Sequence, residues 1–306
     1  MSNPKPTNIA ASIIARLKNH ARQMGRPFQE VAQYYALERF LYRLTTSEYA
    51  ARFVLKGALA LRVWGAPTAR PTRDIDLLGR IENDPGALMT AFKTVAALDG
   101  AGDGIMFPAA TFRTERIKED ADYAGVRVRF QAKLGSMNLP MQIDIGFGDV
   151  VTPMPELADF PTILGHAAPR LTMYPLETLV AEKLEAMVRL GTLNSRFKDF
   201  YDIWLLARHF AFDGASLVAA ISATCAHRGT VISGRPAALT EAFYDSPRAT
   251  KQWAAFVRRT GSDDIPDAFS RVCTQLAEFL VPPLSALATH QRFEASWLPA
   301  GSWQEM

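Results

Sequence analysis

Thr72-Arg73-Asp74-Ile75-Asp76-Leu77-Leu78-Gly79 sets two carboxylates one residue apart inside an apolar, β-prone run. Successive side chains of a strand alternate between faces, so Asp74 and Asp76 point one way while Ile75 and Leu77 point into a core. Two like charges about 4 Å apart repel by about 1 kcal/mol in water and about 4 kcal/mol at the effective dielectric of a protein surface, so the pair needs a cation. Hard oxygen ligands favour Mg2+, which keeps several waters and is completed by substrate phosphates. The pattern points to nucleotidyl transfer; the plainer alternative is two solvated acids at the exposed end of a strand.

Upstream, Phe53-Val54-Leu55-Lys56-Gly57 reads as a short buried strand that ends in a glycine, followed by a helical run from Ala58 to Trp64. Glycine lets the backbone approach a phosphate, and a helix N-terminus offers free N–H donors. Downstream, residues 139–148 (LPMQIDIGFG) alternate as another strand. Its one acid, Asp144, faces away from Ile143 and Ile145, either as a third metal-binding carboxylate or as a charge guarding a strand edge.

The second half carries another polar cluster. Residues 175–190 (PLETLVAEKLEAMVRL) predict a helix with Pro175 at its start, Glu177 in its first turn and Lys183 on its surface. Beyond Gly191, residues 196–204 (RFKDFYDIW) open a second helix with Asp199 and Asp202 one turn apart. Lysine and arginine can neutralise a triphosphate while a flanking acid orients them. Alternatively, the segment is a solvated charged helix with weak local ion pairs.

Together these pieces resemble the AbiEii/AbiGii toxin family of DNA-polymerase-β-like nucleotidyltransferases. The likeness rests on Leu55-Lys56-Gly57-Ala58-Leu59-Ala60-Leu61, Arg73-Asp74-Ile75-Asp76, Lys183-Leu184, and Arg196-x-Lys198-Asp199-x-x-Asp202, in the family's order across residues 50–210. The resemblance implies Asp74 and Asp76 as metal ligands, Lys183 as the triphosphate contact and Asp199 as the catalytic acid of the last motif. Lys56, Gly57, Ala58, Lys183, Arg196 and Lys198 form the expected nucleotide-binding set, and Asp144 is the expected third ligand in a two-Mg2+ mechanism. It further implies NTP as donor, the 3′ acceptor end of tRNA as target, a block of translation and a cognate antitoxin as partner. Where the family's first motif has Gly-Ser or Gly-Gly, this chain has Gly57-Ala58. Backbone amides must then replace one hydroxyl contact to phosphate. The same machinery would also serve a protein or small-molecule acceptor, and a non-catalytic descendant is a third alternative.

The rest of the chain frames this reading. With 306 residues, 48% hydrophobic, it can bury a sizeable core. Cys225 and Cys273 suggest neither a disulfide framework nor a zinc site, and the five histidines show no ligand spacing. The N-terminus lacks a leader's apolar core and no apolar run reaches membrane-spanning length, so a cytoplasmic location and no membrane partner are expected. A net charge of +3 does not by itself indicate nucleic acid. Arg127 and Arg129 would share one strand face, as either a solvated sheet surface or an RNA-binding strip. The expected fold is α+β: a nucleotidyltransferase-type mixed sheet with helices, then a mainly helical C-terminal half. Residues 1–160 form the expected nucleotidyltransferase domain with N-terminal helices, and 161–306 a helical domain completing the active-site cleft. Pro282-Pro283 is expected to end the last long helix.

Overall fold

A computed structural model describes residues 8–66, 70–119, 123–261, 264–299 and 301–305. The N-terminal seven residues, part of the stretch read for a leader, lie outside the described residues. The chain divides into two compact units. One takes the residues up to Trp64, 71–148 and 156–173; the other takes 65–70, 149–155 and all from Tyr174 onward.

The first unit opens with helices α1 (Ile9–Gln23) and α2 (Phe28–Thr45), then strand β1 (Phe53–Lys56), short helix α3 (Gly57–Val63) and strand β2 (Asp74–Gly79). Helix α4 (Pro85–Ala97) begins where Asp84 accepts a hydrogen bond from the Ala87 amide and Pro85 supplies a first-turn residue that needs no donor. β2 stops at Gly79, ahead of that start signal. Strands β3 (Ile105–Met106), β4 (Arg113–Glu119), β5 (Tyr123–Leu134), β6 (Met137–Phe147), β7 (Glu156–Asp159) and β8 (Arg170–Met173) complete the unit.

These strands form one mixed sheet of order β3-β5-β6-β2-β1-β8-β7, with β4 also paired to β5. β2 runs parallel to β6 and antiparallel to β1, so both catalytic-looking strands are central. The aromatic run on α2 is core: Tyr34, Tyr35 and Phe40 are buried, and Phe40 stands against Phe92, Phe107 and Phe130. On the same helix Arg43 forks onto Asp103 at 2.7 and 3.1 Å, a pair buried with its bonds satisfied.

The second unit contains α5 (Leu176–Leu190), α6 (Phe197–His209), β9 (Phe212–Asp213), α7 (Gly214–His227), α8 (Glu241–Tyr244), α9 (Pro247–Thr260), α10 (Phe269–Ala288), β10 (Ala295–Trp297) and β11 (Trp303–Glu305). The last three-stranded sheet, β11-β10-β9, carries no strong alternation in sequence. One expectation is overturned: α10 runs through Pro282 and Pro283 to Ala288. A proline at 283 leaves the carbonyl of residue 279 without its helical donor. Trp303 Nε1 donates to that carbonyl at 2.9 Å, and its ring stacks on Phe279. The bond missing inside the helix is thus replaced from β11.

Candidate active site

In the first unit, register builds a transverse row of charges. Lys56 on β1 pairs with Asp76 on β2, Asp76 with Asp144 on β6, Asp144 with Arg127 on β5, and Arg127 with Glu115 on β4. Neighbouring strands lie about 4.8 Å apart, so the row juxtaposes side chains of one face. Asp74 stands one pleat along on the same strand face as Asp76. Both are half-buried, while Ile75 and Leu77 between and after them are core residues, as the alternation requires.

Gly57 follows Lys56 with φ +68°, a left-handed conformation that favours glycine. A Cβ there would overlap the Asp76 carboxylate, reaching its Cγ at 2.7 Å. Glycine therefore serves two ends: the turn from strand to helix and room for Asp76. Lys56 is buried, and so is Ala58 behind the turn.

Asp144 is gripped from its far side. Arg127 Nε and NH2 donate to its two oxygens at 2.7 and 2.8 Å, and Gln142 Nε2 donates at 3.2 Å. The hydrogen bond that Arg127 donates to Asp144 leads in raising the Arg127 pKa above its ordinary value, against its partial burial; Asp74 adds to the rise. Arg129 pairs with Glu115 at 3.0 Å. Arg127 and Arg129 do share a face, but as partners of acids within the sheet. Among the described residues no three His, Cys, Asp or Glu side chains converge as a metal cluster. Asp74 and Asp76 remain a two-carboxylate set of the kind Mg2+ takes together with waters and substrate phosphates.

The second unit holds Lys183, Asp199 and Asp202 together. Lys183 Nζ lies 3.3 Å from Asp199 and 2.7 Å from Asp202. Arg196 Nε reaches the other Asp199 oxygen at 2.5 Å, and Arg70 forks onto Asp202 with two bonds of 3.0 Å. Charges alternate along Arg70, Asp202, Lys183, Asp199 and Arg196. The two acids and the lysine are buried, so this is not a solvated helix face. Burial works against the charge on Lys183, but Asp202 and Asp199 outweigh it and raise its pKa. Burial likewise opposes the Asp202 anion, and Arg70 and Lys183 overcome it, holding its pKa below the usual 3.8. Beside this network Arg228 joins Asp149 at 3.2 Å, Glu182 at 3.2 Å and Glu185 at 2.9 Å, which anchors the helix bearing Lys183. Lys198 is exposed on α6.

Two partners escaped the sequence reading. Arg70 is far from Asp202 in the chain and belongs to no motif. Arg127 gains meaning only once β5 is in register with β6, since opposition across a sheet has no fixed spacing in sequence.

The model of the AbiEii family, described as nucleotidyl transferase AbiEii toxin of a Type IV toxin–antitoxin system, matches residues 39–275. The chain belongs to this family. Its solved structural neighbours include a protein from H. pylori described as a candidate nucleotidyltransferase, at 15% identity and TM-score 0.51, covering 87% of this chain and 99% of that one. JHP933 from Helicobacter pylori aligns at 15% identity and TM-score 0.50, over 86% of this chain and 96% of its own. At such identities the likeness concerns the fold. No curated protein sequence matches. As an AbiEii member the protein is a nucleotidyltransferase of the toxin–antitoxin class, with an NTP as substrate and an antitoxin as partner. Among the described residues no helix is long and apolar enough to cross a membrane.

Proposed function

We propose that this AbiEii protein transfers nucleotides from an NTP, with Mg2+, to the 3′ acceptor end of tRNA in the cytoplasm, blocking translation until its cognate antitoxin restrains it. The observation that carries the reading is the row in which Asp76 stands between Lys56 and Asp144 while Gly57 makes room for its carboxylate. Asp74 and Asp76 are the proposed Mg2+ ligands, and Asp144 adds an oxygen from the neighbouring strand. When bound, the ion supplies Lewis-acid stabilisation of phosphoryl oxygens. Lys56 keeps a fixed positive charge beside the acids, and the Lys56-Gly57-Ala58 turn offers backbone amides to phosphate.

Lys183, Arg196 and Lys198 are assigned to the nucleotide. Arg70, Lys183 and Arg196 gather around the two acids, and such a group of cations suits an anionic ligand. Asp199 takes the catalytic place in the last motif and fixes both Lys183 and Arg196. A phosphate-rich acceptor is supported by a surface depression that Ser195, Phe197, Gln252 and the exposed Arg258 and Arg259 line, next in sequence to Arg196.

The test incubates purified protein with each labelled NTP, Mg2+ and total RNA. Label at the 3′ end of tRNA is the expected result. Label found only on a protein or a small molecule would move the reading to another acceptor, and no label under any condition would count against transfer itself.

A further inference from the structure

We propose that Arg70 is a positioning residue for the triphosphate: by fixing the plane of Asp202 it prevents the acids around Lys183 from claiming that ammonium whole. The inference rests on the reading that Lys183 contacts the triphosphate, and it adds a residue that no sequence motif contains. Arg70, Lys183, Arg196, Asp199 and Asp202 all belong to the second unit. Arg70 Nε donates to Asp202 Oδ1 and its NH2 to Oδ2, each at 3.0 Å. Two parallel bonds between a planar guanidinium and a planar carboxylate hold the carboxylate in one orientation. Lys183 Nζ then meets a single oxygen of each acid, Asp202 Oδ2 at 2.7 Å and Asp199 Oδ1 at 3.3 Å. Arg196 Nε holds the other Asp199 oxygen. An ammonium has three N–H donors. Two go to the acids, and the third is left for phosphate.

Arg70 is built into this place. Pro71 follows it and biases its backbone to extended conformations. Its side chain is 14% exposed and that of Asp202 0%, so water has little room to replace the fork. Burial opposes the Asp202 anion, and Arg70, ahead of Lys183, overcomes it. Without the guanidinium, Oδ1 of Asp202 is released from its partner while the carboxylate stays out of water. A buried acceptor that loses its donor turns to the one that remains, and here that is the Lys183 ammonium. Both oxygens on Nζ would take the donor that the phosphate needs. Arg70 thus acts on the ligand through Asp202 and Lys183.

Calorimetric titration with inorganic triphosphate, in buffer free of divalent metal, reads the Lys183 end of the site without reliance on the metal row or on activity. Wild-type protein is expected to bind and Lys183→Ala to lose the binding. Arg70→Gln and Arg70→Lys should each weaken it about tenfold, the worth of one charge-assisted hydrogen bond. Lysine keeps the charge but cannot fork, so the second variant separates orientation from charge. In an Asp202→Asn background neither arginine variant should weaken binding further, because the carboxylate on which Arg70 acts is gone. Circular dichroism of each preparation confines the comparison to folded protein. No binding by the wild type, or undiminished binding by Lys183→Ala, would overturn the nucleotide assignment on which the inference stands. Wild-type affinity in either folded Arg70 variant, with Lys183→Ala defective, would overturn the role of the fork alone. A tenfold loss that persists in the Asp202→Asn background would mean that Arg70 touches the ligand directly, and would overturn its action through Asp202.

Discussion

Lys183 Nζ lies 2.7 Å from Asp202 Oδ2, and the Asp202 side chain has no exposed surface. Removing one member of a buried pair leaves its partner charged and unsolvated, which costs about 3–5 kcal/mol. Asp202→Ala takes one carboxylate partner from two cations at once, Lys183 and Arg70. Its unfolding free energy in urea is expected to fall by about that amount. A loss below about 1 kcal/mol, the range of an exposed pair, would show that water reaches the network. The same network fixes a pH dependence. Asp202 has a folded pKa below its unfolded one, so its contribution is full above the unfolded value near 3.8 and is lost as pH falls through the folded value. Lys183 has a raised folded pKa, so its contribution is full below the unfolded value near 10.5 and is lost as pH rises through the folded one. Stability should be level between these limits as far as this network is concerned. Denaturation of wild type and Asp202→Asn across the pH range is the measurement. The variant should show a smaller loss in acid, and parallel curves below pH 4 would refute the assignment.

Gly57→Ala should fold less stably and transfer poorly. The left-handed backbone costs an alanine about 1–2 kcal/mol, and its Cβ would collide with the Asp76 carboxylate. A misplacement of about 1 Å at a reacting centre can cost about 10²-fold in rate. Transfer assays on the folded fraction should show a drop of that order. Activity near wild type would mean that Asp76 is not held where the register puts it.

Much of this site was legible because its chemistry follows local periodicity. Asp74 and Asp76 share a face because strands alternate, Ile75 and Leu77 are buried for the same reason, and β1 ends at Lys56 where Gly57 takes its turn. What escaped depends on pairing over distance. Arg127 meets Asp144 across a strand boundary, Arg70 meets Asp202 from 132 residues away, and Trp303 rescues a carbonyl of a helix that the prolines alone would end. Asp202, read from sequence only as one turn from Asp199, is the buried anion between two cations.

Asp74→Ala and Asp76→Ala should each abolish transfer while leaving the fold intact. Each removes a proposed metal ligand and also relieves the repulsion between half-buried acids. Circular dichroism and the transfer assay on the same preparations check both halves of the statement. A wild-type rate in Mg2+ from either variant would end the metal-site reading.

In cells, strong expression of the wild-type chain should slow growth, as membership of a toxin family leads one to expect. Lys183→Ala and Asp199→Ala should relieve it, because each disrupts the network that presents the cations. Growth curves with immunoblots for soluble protein make the comparison. Unimpaired growth at high soluble wild-type levels would count against a toxin, though not against an enzyme.

The acceptor can be read from salt. If tRNA is the acceptor, the protein must hold a phosphate-rich stem through basic residues beyond the nucleotide site. Asp144 engages Arg127, and Glu115 and Gln142 engage Arg129, within the sheet, which makes this pair less available for phosphate. Arg258 and Arg259, exposed in the last turn of α9, are better placed for phosphate. Neutralising both should weaken RNA binding and reduce the slope of log affinity against log salt by about one for each phosphate no longer neutralised. Nucleotide binding should change little. Filter binding of tRNA across a salt series, beside nucleotide titrations of the same variants, separates the two effects. Equal slopes would exclude the arginine pair as a phosphate-binding site, and salt-insensitive labelling of a small molecule with no RNA product would exclude tRNA as the acceptor.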